Sequence, residues 1–203
     1  ITVHALPATA FTASPRFNCA PPLAVTFQDQ TPGAVSWNWS FGDGGTSTQQ
    51  NPVHNYTGYG NFNVRLITTN ANGCRDTLTQ NNYIRIQRPV IQVTGLPANG
   101  CVPYTINPVP NINTLHAVTS YQWDFGDGSP LVTTQTPSHT YTVQGTYTVT
   151  LTITTSTGCT ETLSMPGVVR VGTVPSVDFS VNPAIACAYQ PVQFTDLSVP
   201  ADT

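Results

Sequence analysis

Cysteines, histidines held in step and aspartates set between glycines are the residues of this chain whose types and spacing could do chemistry. Cys19, Cys74, Cys101, Cys159 and Cys187 recur periodically. None stands in the Cys-x-x-Cys spacing of a zinc site, so the expected chemistry is disulfide formation in an oxidising compartment. His54 and His139 lie 85 residues apart. No second histidine or carboxylate is read as keeping step with them, so each reads as a structural histidine at a sheet edge, bonded to a nearby turn. Asp43 and Asp127 each sit in a Gly-Asp-Gly loop. Calcium is the ion such loops could approach, but it takes about six to eight oxygens and neither loop offers a carboxylate cluster. An aspartate that bonds its own backbone is the expected role, with no cofactor and no metal. His4, His116 and the serines fall in no nucleophile-and-base motif, so no enzyme activity is expected.

The elements that must position these residues are built around one stretch that occurs twice. Ser36-Trp37-Asn38-Trp39-Ser40-Phe41-Gly42-Asp43-Gly44 is matched by Ser120-Tyr121-Gln122-Trp123-Asp124-Phe125-Gly126-Asp127-Gly128. In each copy aromatic residues at alternate positions run into a glycine turn, the pattern of a strand with one buried face. Trp39 and Trp123 are 84 residues apart, and Cys74 and Cys159 are 85 apart. A period of that length, holding a full set of strands, means tandem small domains and not a stacked solenoid.

Within the first unit Leu23, Val25 and Phe27 alternate with polar residues, and Val35, Trp37, Trp39 and Phe41 share one phase. Pro52 to Tyr56 reads as a short edge segment, Phe62, Val64 and Leu66 as the next strand, and Asn70 to Gly73 as a turn. In the second unit Tyr147, Val149, Leu151 and Ile153 alternate with four threonines. No helical periodicity appears. The expected fold is all-β, with tandem Greek-key sandwiches of immunoglobulin-like type. The expected boundaries are 7–88 and 89–172, preceded by residues 1–6 as the last strand of an earlier repeat. Residues 173–203 would supply the first strands of an incomplete third repeat.

Charged residues are only 7% of the chain, the net charge is −3 and every cationic side chain other than histidine is Arg. That balance argues against nucleic acid as a partner. No apolar run is long enough to enter a bilayer as a helix, and the absence of an initiating Met marks the chain as a processed product or an excerpt.

The combination Trp-x-Phe-Gly-Asp-Gly, Pro-x-His-x-Tyr and Gly-x-(Phe/Tyr)-x-Val-x-Leu closely resembles the PKD domain. Its residues here are Trp39 to Gly44, Pro52, His54, Tyr56, Gly60, Phe62, Val64 and Leu66, then Trp123 to Gly128, Pro137, His139, Tyr141, Gly145, Tyr147, Val149 and Leu151. The variety resembles PKD arrays of large surface and secreted proteins of Bacteroidota-type bacteria, and the resemblance implies a spacer, stalk or adhesive module. Two pairings satisfy the cysteine period. Counting favours Cys19–Cys74 and Cys101–Cys159 within units, with Cys187 left over. In an immunoglobulin-like sandwich, however, the two turns concerned lie at opposite poles, roughly 25 Å apart for a seven- or eight-residue strand, against the roughly 7 Å a disulfide spans. A staple between units, Cys19–Cys159, is the alternative.

The function expected is a non-enzymatic segment of an extracellular, cell-surface array or filament, with neighbouring repeats or copies of itself as partners. The alternative is a module that binds polysaccharide or a surface glycan, accessory to a secreted hydrolase, with Tyr59 and Tyr189 as candidate stacking residues.

Overall fold

A computed structural model describes residues 3–182, 184, 188–189 and 191–199. The chain divides into two compact units, Ile1–Pro89 and Val90–Thr203, and among the described residues every regular element is a strand.

The first unit contains β1 (Phe11–Ser14), β2 (Phe17–Asn18), β3 (Leu23–Asp29), β4 (Ala34–Ser40), β5 (Thr46–Ser47), β6 (Val53–Tyr56), β7 (Gly60–Asn70) and β8 (Arg75–Ile86). They form two sheets, ordered β1-β3-β6 and β2-β8-β7-β4-β5. The chain changes sheet between β1 and β2, and there β2 runs parallel to β8, with Phe17 opposite Arg85 and Asn18 opposite Ile86. The core between the sheets holds Phe11, Leu23, Val25, Phe27, Trp39, Phe41, Tyr56, Val64, Leu66, Ile84 and Ile86. Alternation along β3 is complete, because only one face of an antiparallel strand meets the opposing sheet.

Alternation fails in β4 at one residue. Val35, expected in the aromatic phase, is 57% exposed. The pairing of β4 with β7 shifts register between Ala34 and Ser36, so Val35 is the extra residue of a bulge and turns outward. Trp37 is only half-buried, and its indole N–H donates to Asp29 Oδ2 at 2.7 Å. One tryptophan, Trp39, therefore centres the core.

The second unit repeats the plan with β9 (Val90–Thr94), β10 (Ala98–Cys101), β11 (Tyr104–Ile106), β12 (Val109–Asn113), β13 (Val118–Asp124), β14 (His139–Tyr141), β15 (Gly145–Thr155) and β16 (Thr160–Gly172). Its larger sheet is ordered β10-β16-β15-β13, and β10 is again parallel to β16. The strand equivalent to β3 is divided. β11 pairs with β14 and β12 with β9, and Pro108, which has no N–H to give a ladder, stands at the break.

Beyond β16, β17 (Phe179–Asn182) and β18 (Gln193–Asp196) pair antiparallel, with Phe179 opposite Asp196. Phe179 and Phe194 are exposed. Residues 3–10 adopt no strand, so the tail strand expected over 1–6 is not seen at Val3–Leu6, while Ile1 and Thr2 lie outside the described residues. Cys187 also lies outside them.

Candidate functional site

The recurring residues meet at the turn that ends the aromatic strand. Beyond β4 the chain folds back tightly, with the Phe41 N–H donating to the Gly45 carbonyl. Gly42 takes a φ of +87 and Gly126 a φ of +74, a region open chiefly to glycine. Asp43 then uses one carboxylate oxygen to accept the Gly45 N–H at 2.9 Å and the other to meet His54 Nε2 at 2.7 Å. In the second unit Asp127 accepts the Ser129 N–H at 3.0 Å and meets His139 Nε2 at 2.8 Å.

Each histidine ring also completes an aromatic ladder. His54 stacks on Phe41 at 4.1 Å, with 12° between the planes, and meets Tyr56 edge-on at 4.6 Å. His139 stacks on Phe125 at 4.1 Å and 2°, and meets Tyr141 edge-on at 4.7 Å. The two tyrosine hydroxyls, buried, donate to the carbonyls of Phe41 and Phe125 at 3.0 Å. Burial, with the neighbouring aspartate charge, pushes both phenols well above the ordinary tyrosine range.

Sequence reasoning missed the aspartate–histidine pairs. It placed Asp43, Asp127, His54 and His139 separately and held that no carboxylate keeps step with the histidines. The carboxylate does keep step. The signal was the shared recurrence, 84 residues for the aspartates and 85 for the histidines, hidden by a turn one residue longer in the second unit.

Chemically the arrangement is closed. Each carboxylate has both oxygens engaged, and each imidazole has one nitrogen on the carboxylate and one face on a phenylalanine. Among the described residues no group of three or more His, Cys, Asp or Glu could hold a metal ion.

Burial tends to raise the Asp43 carboxyl, but hydrogen bonds from His54 and the Gly45 N–H, with the His54 charge, outweigh it and hold it below the usual range. For Asp127 burial is likewise outweighed by bonds from Ser129 and His139. A carboxyl whose folded pKa lies below its unfolded value contributes stability that is fully present above the unfolded pKa and is lost as pH falls through the folded one. With an unfolded value of about 4, both units should therefore lose stability below about pH 4. Asp43→Asn with Asp127→Asn should flatten that acid limb in melts taken from pH 7 to 2. An acid limb as steep as the parent's would refute the assignment.

The cysteines settle differently from the count within units. Cys19 and Cys159 are disulfide-bonded to each other, and Cys74 and Cys101 are free. The pairing within units fails on length. Cys74 immediately precedes β8 and Cys19 lies beside its other end, separated by a strand of 12 residues, roughly 35 Å of chain against the roughly 7 Å a disulfide spans. Cys159 and Cys101 stand at the two ends of β16 in the same way.

A family model described as PKD domain matches residues 7–86 and 87–169. Human polycystin-1 is 29% identical over 146 residues, covering 58% of this chain and 3% of polycystin-1. A microbial collagenase of Vibrio alginolyticus is 47% identical over 45 residues, 22% of this chain and 6% of the collagenase. The chain thus spans only a few per cent of these relatives' length. Among solved structures, the PKD1 domain of the Vibrio cholerae metalloprotease PrtV is 31% identical, with a TM-score of 0.35, covering 41% of this chain and 99% of that domain. The matched residues take in both aromatic turns, both aspartate–histidine pairs and most of the chain, which belongs to the PKD domain family and carries two of its members in tandem.

Proposed function

We propose that this chain is a non-catalytic structural segment of an extracellular repeat array, in which sandwiches follow one another as stalk, adhesin or fibre. The observation that carries this reading is that the polar residues recurring between the units close on their own unit. Asp43 and Asp127 hold their turns and their histidines, and Tyr56 and Tyr141 hold the aromatic strands. A disulfide supports an oxidising, extracellular setting. The last described hairpin supports a third repeat over 173–203, because Phe179 faces Asp196 as Phe11 faces Asp29.

A second reading, binding of polysaccharide or surface glycan, is favoured by the exposure of Tyr59 in the loop between β6 and β7, since an exposed aromatic face can stack on a sugar ring. Titration against a panel of soluble glycans and insoluble polysaccharides separates the two. Structural service predicts no saturable binding. Saturable binding that Tyr59→Ala abolishes would replace it with the second reading.

A further inference from the structure

The arginines of this chain are unequally shared. Five of the six, Arg16, Arg65, Arg75, Arg85 and Arg88, belong to the first unit against three carboxylates, while the second unit has Arg170 against six. With histidine neutral, the net charge of −3 therefore divides into +2 and −5. The three carboxylates of the first unit are engaged away from its arginines. Asp29 accepts from the Thr31 N–H and the Trp37 indole, Asp43 from the Gly45 N–H beside His54, and Asp76 from the Thr9 N–H. Among the described residues the ion pairs are both aspartate–histidine, and no arginine is in one.

Three of the five arginines stand on one surface. β7 and β8 alternate, and Arg65, Arg75 and Arg85 fall in the phase that turns away from the core, all exposed. Arg75 lies opposite Thr69, Arg65 opposite Thr79 and Arg85 opposite Asn61. Along β7 those levels are residues 69, 65 and 61, so the arginines form a row in equal steps of about 13 Å. Exposed Asn38, Asn61, Thr77 and Thr79 stand around it. No carboxylate shares the face, since Asp29 belongs to the other sheet, Asp43 to a turn and Asp76 to the opposite phase of β8. The Arg85 guanidinium is anchored by its Nε–H, which donates to the Asn82 carbonyl at 3.1 Å.

The second unit shows that the fold does not require these arginines. Trp39 faces Leu66 and Trp123 faces Leu151, so Thr150 takes the place of Arg65. Across from it stands Asp124, where Arg65 has Ser40. Thr160, opposite Thr154, takes the place of Arg75, opposite Thr69. Arginine is kept at one of the three levels, as Arg170 opposite Thr146. Threonine suits a strand's solvent face at least as well as arginine does, so the row in the first unit calls for a reason outside the sheet.

An arginine presents a planar fork that grips a carboxylate or sulfate through two parallel hydrogen bonds. A row of forks along an open sheet face suits a long chain with repeated negative charges better than a single small anion. The amides and hydroxyls between them can bond sugar hydroxyls. The outward phase of β7 and β8 carries no aromatic ring to stack a nucleic-acid base.

We propose that the outer face of the β2-β8-β7-β4-β5 sheet binds an acidic polysaccharide, gripped by Arg65 and Arg75 with Arg85 continuing the row. This goes beyond the structural reading and is independent of Tyr59. A stalk with such a face holds acidic chains and is indifferent to neutral ones, so the neutral members of the glycan panel still decide between the two readings above.

The test uses the full chain with alginate as the acidic probe and dextran as the neutral one. Alginate should bind saturably and dextran should not, and raising the salt from about 0.05 M to about 0.5 M should weaken alginate binding at least tenfold, since exposed charges are screened. Arg65→Thr with Arg75→Thr installs the residues that the second unit carries at those places. With melting transitions unchanged, that variant should bind alginate at least tenfold more weakly, whereas Arg170→Thr and Tyr59→Ala should bind as the parent does. No binding to alginate, equal binding to dextran, insensitivity to salt, or a double variant that binds like the parent would each overturn the proposal. Tighter binding of poly-glutamate or of single-stranded DNA than of alginate would overturn it too, in favour of an acidic protein or a nucleic acid. Those failures leave the structural reading standing, which falls only if neutral glycans bind saturably and Tyr59→Ala abolishes that binding.

Discussion

Trp39→Ala and Trp123→Ala should each erase the unfolding transition of their own unit and leave the other unit's transition in place. Both side chains are fully buried. Trp39 packs edge-on against Phe11 at 5.1 Å and lies 5.4 Å from Phe27 and 6.3 Å from Phe41. Truncating such a side chain costs about 3–5 kcal/mol, the lost transfer energy together with the cavity left behind. Domains are stable by about 5–15 kcal/mol, and units of roughly 80 residues belong near the low end. The loss is thus comparable with the whole stability of a unit.

The two substitutions should not be equal. The Trp39 indole N–H donates to the Gln49 carbonyl at 2.9 Å, whereas the buried Trp123 N–H has no hydrogen-bond partner among the described residues. An unmade bond to a buried donor is already a cost of about 1–3 kcal/mol, so removing Trp123 relieves a penalty that removing Trp39 does not. Trp39→Ala should be the more damaging. Calorimetry on each variant resolves the transitions, and two parent-like transitions in either variant would contradict the argument.

Gly42→Ala and Gly126→Ala should come next in severity, and well ahead of Gly44→Ala and Gly128→Ala. All four glycines have positive φ, which costs a residue with a side chain about 1–2 kcal/mol. At Gly44 and Gly128 an added Cβ would meet nothing within 4 Å, so that strain is the whole cost. At Gly42 the Cβ would lie 2.5 Å from the Asn63 carbonyl oxygen, and at Gly126 it would collide with the Thr148 carbonyl oxygen. Backbone of the neighbouring strand cannot rotate aside as a side chain can, and forced overlap adds about 1–3 kcal/mol. Urea titration should therefore place Gly42→Ala about 2–5 kcal/mol below the parent and Gly44→Ala about 1–2 kcal/mol below it. Equal losses at the two positions would show that the close approach to Asn63 is not what requires glycine.

Sheet architecture was legible because one buried face per strand imposes period two, and Leu23, Val25 and Phe27 lie on that face without exception. Val35 was misread because a bulge adds a residue without changing composition, so its neighbours look in phase when it is not. Trp37 was misread for a different reason. Size suggests burial, yet a polar partner at the rim, Asp29, holds its indole half out.

The candidate site was legible in its parts and not in its connections. Asp43 and His54 recur with their copies, but a pair that meets across a sheet edge leaves no fixed spacing to find. Cysteine pairing was illegible for the same cause. Counting assigns two cysteines to each unit, while β8 and β16 hold those two at opposite ends of a long strand.

The parallel pairing of β2 with β8 bears on how a unit would respond to force. The strands lie near the two ends of the unit's chain, and they run the same way. Pulling those ends apart slides one strand along the other instead of peeling them open from a corner. The bonds from Arg85 N–H to the Arg16 carbonyl and from Gln87 N–H to the Asn18 carbonyl are then loaded together, in shear. In the second unit the Val102 N–H to Gly172 carbonyl bond sits in the same patch. A sandwich closed in this way resists tension until the patch breaks as a whole, and then yields abruptly.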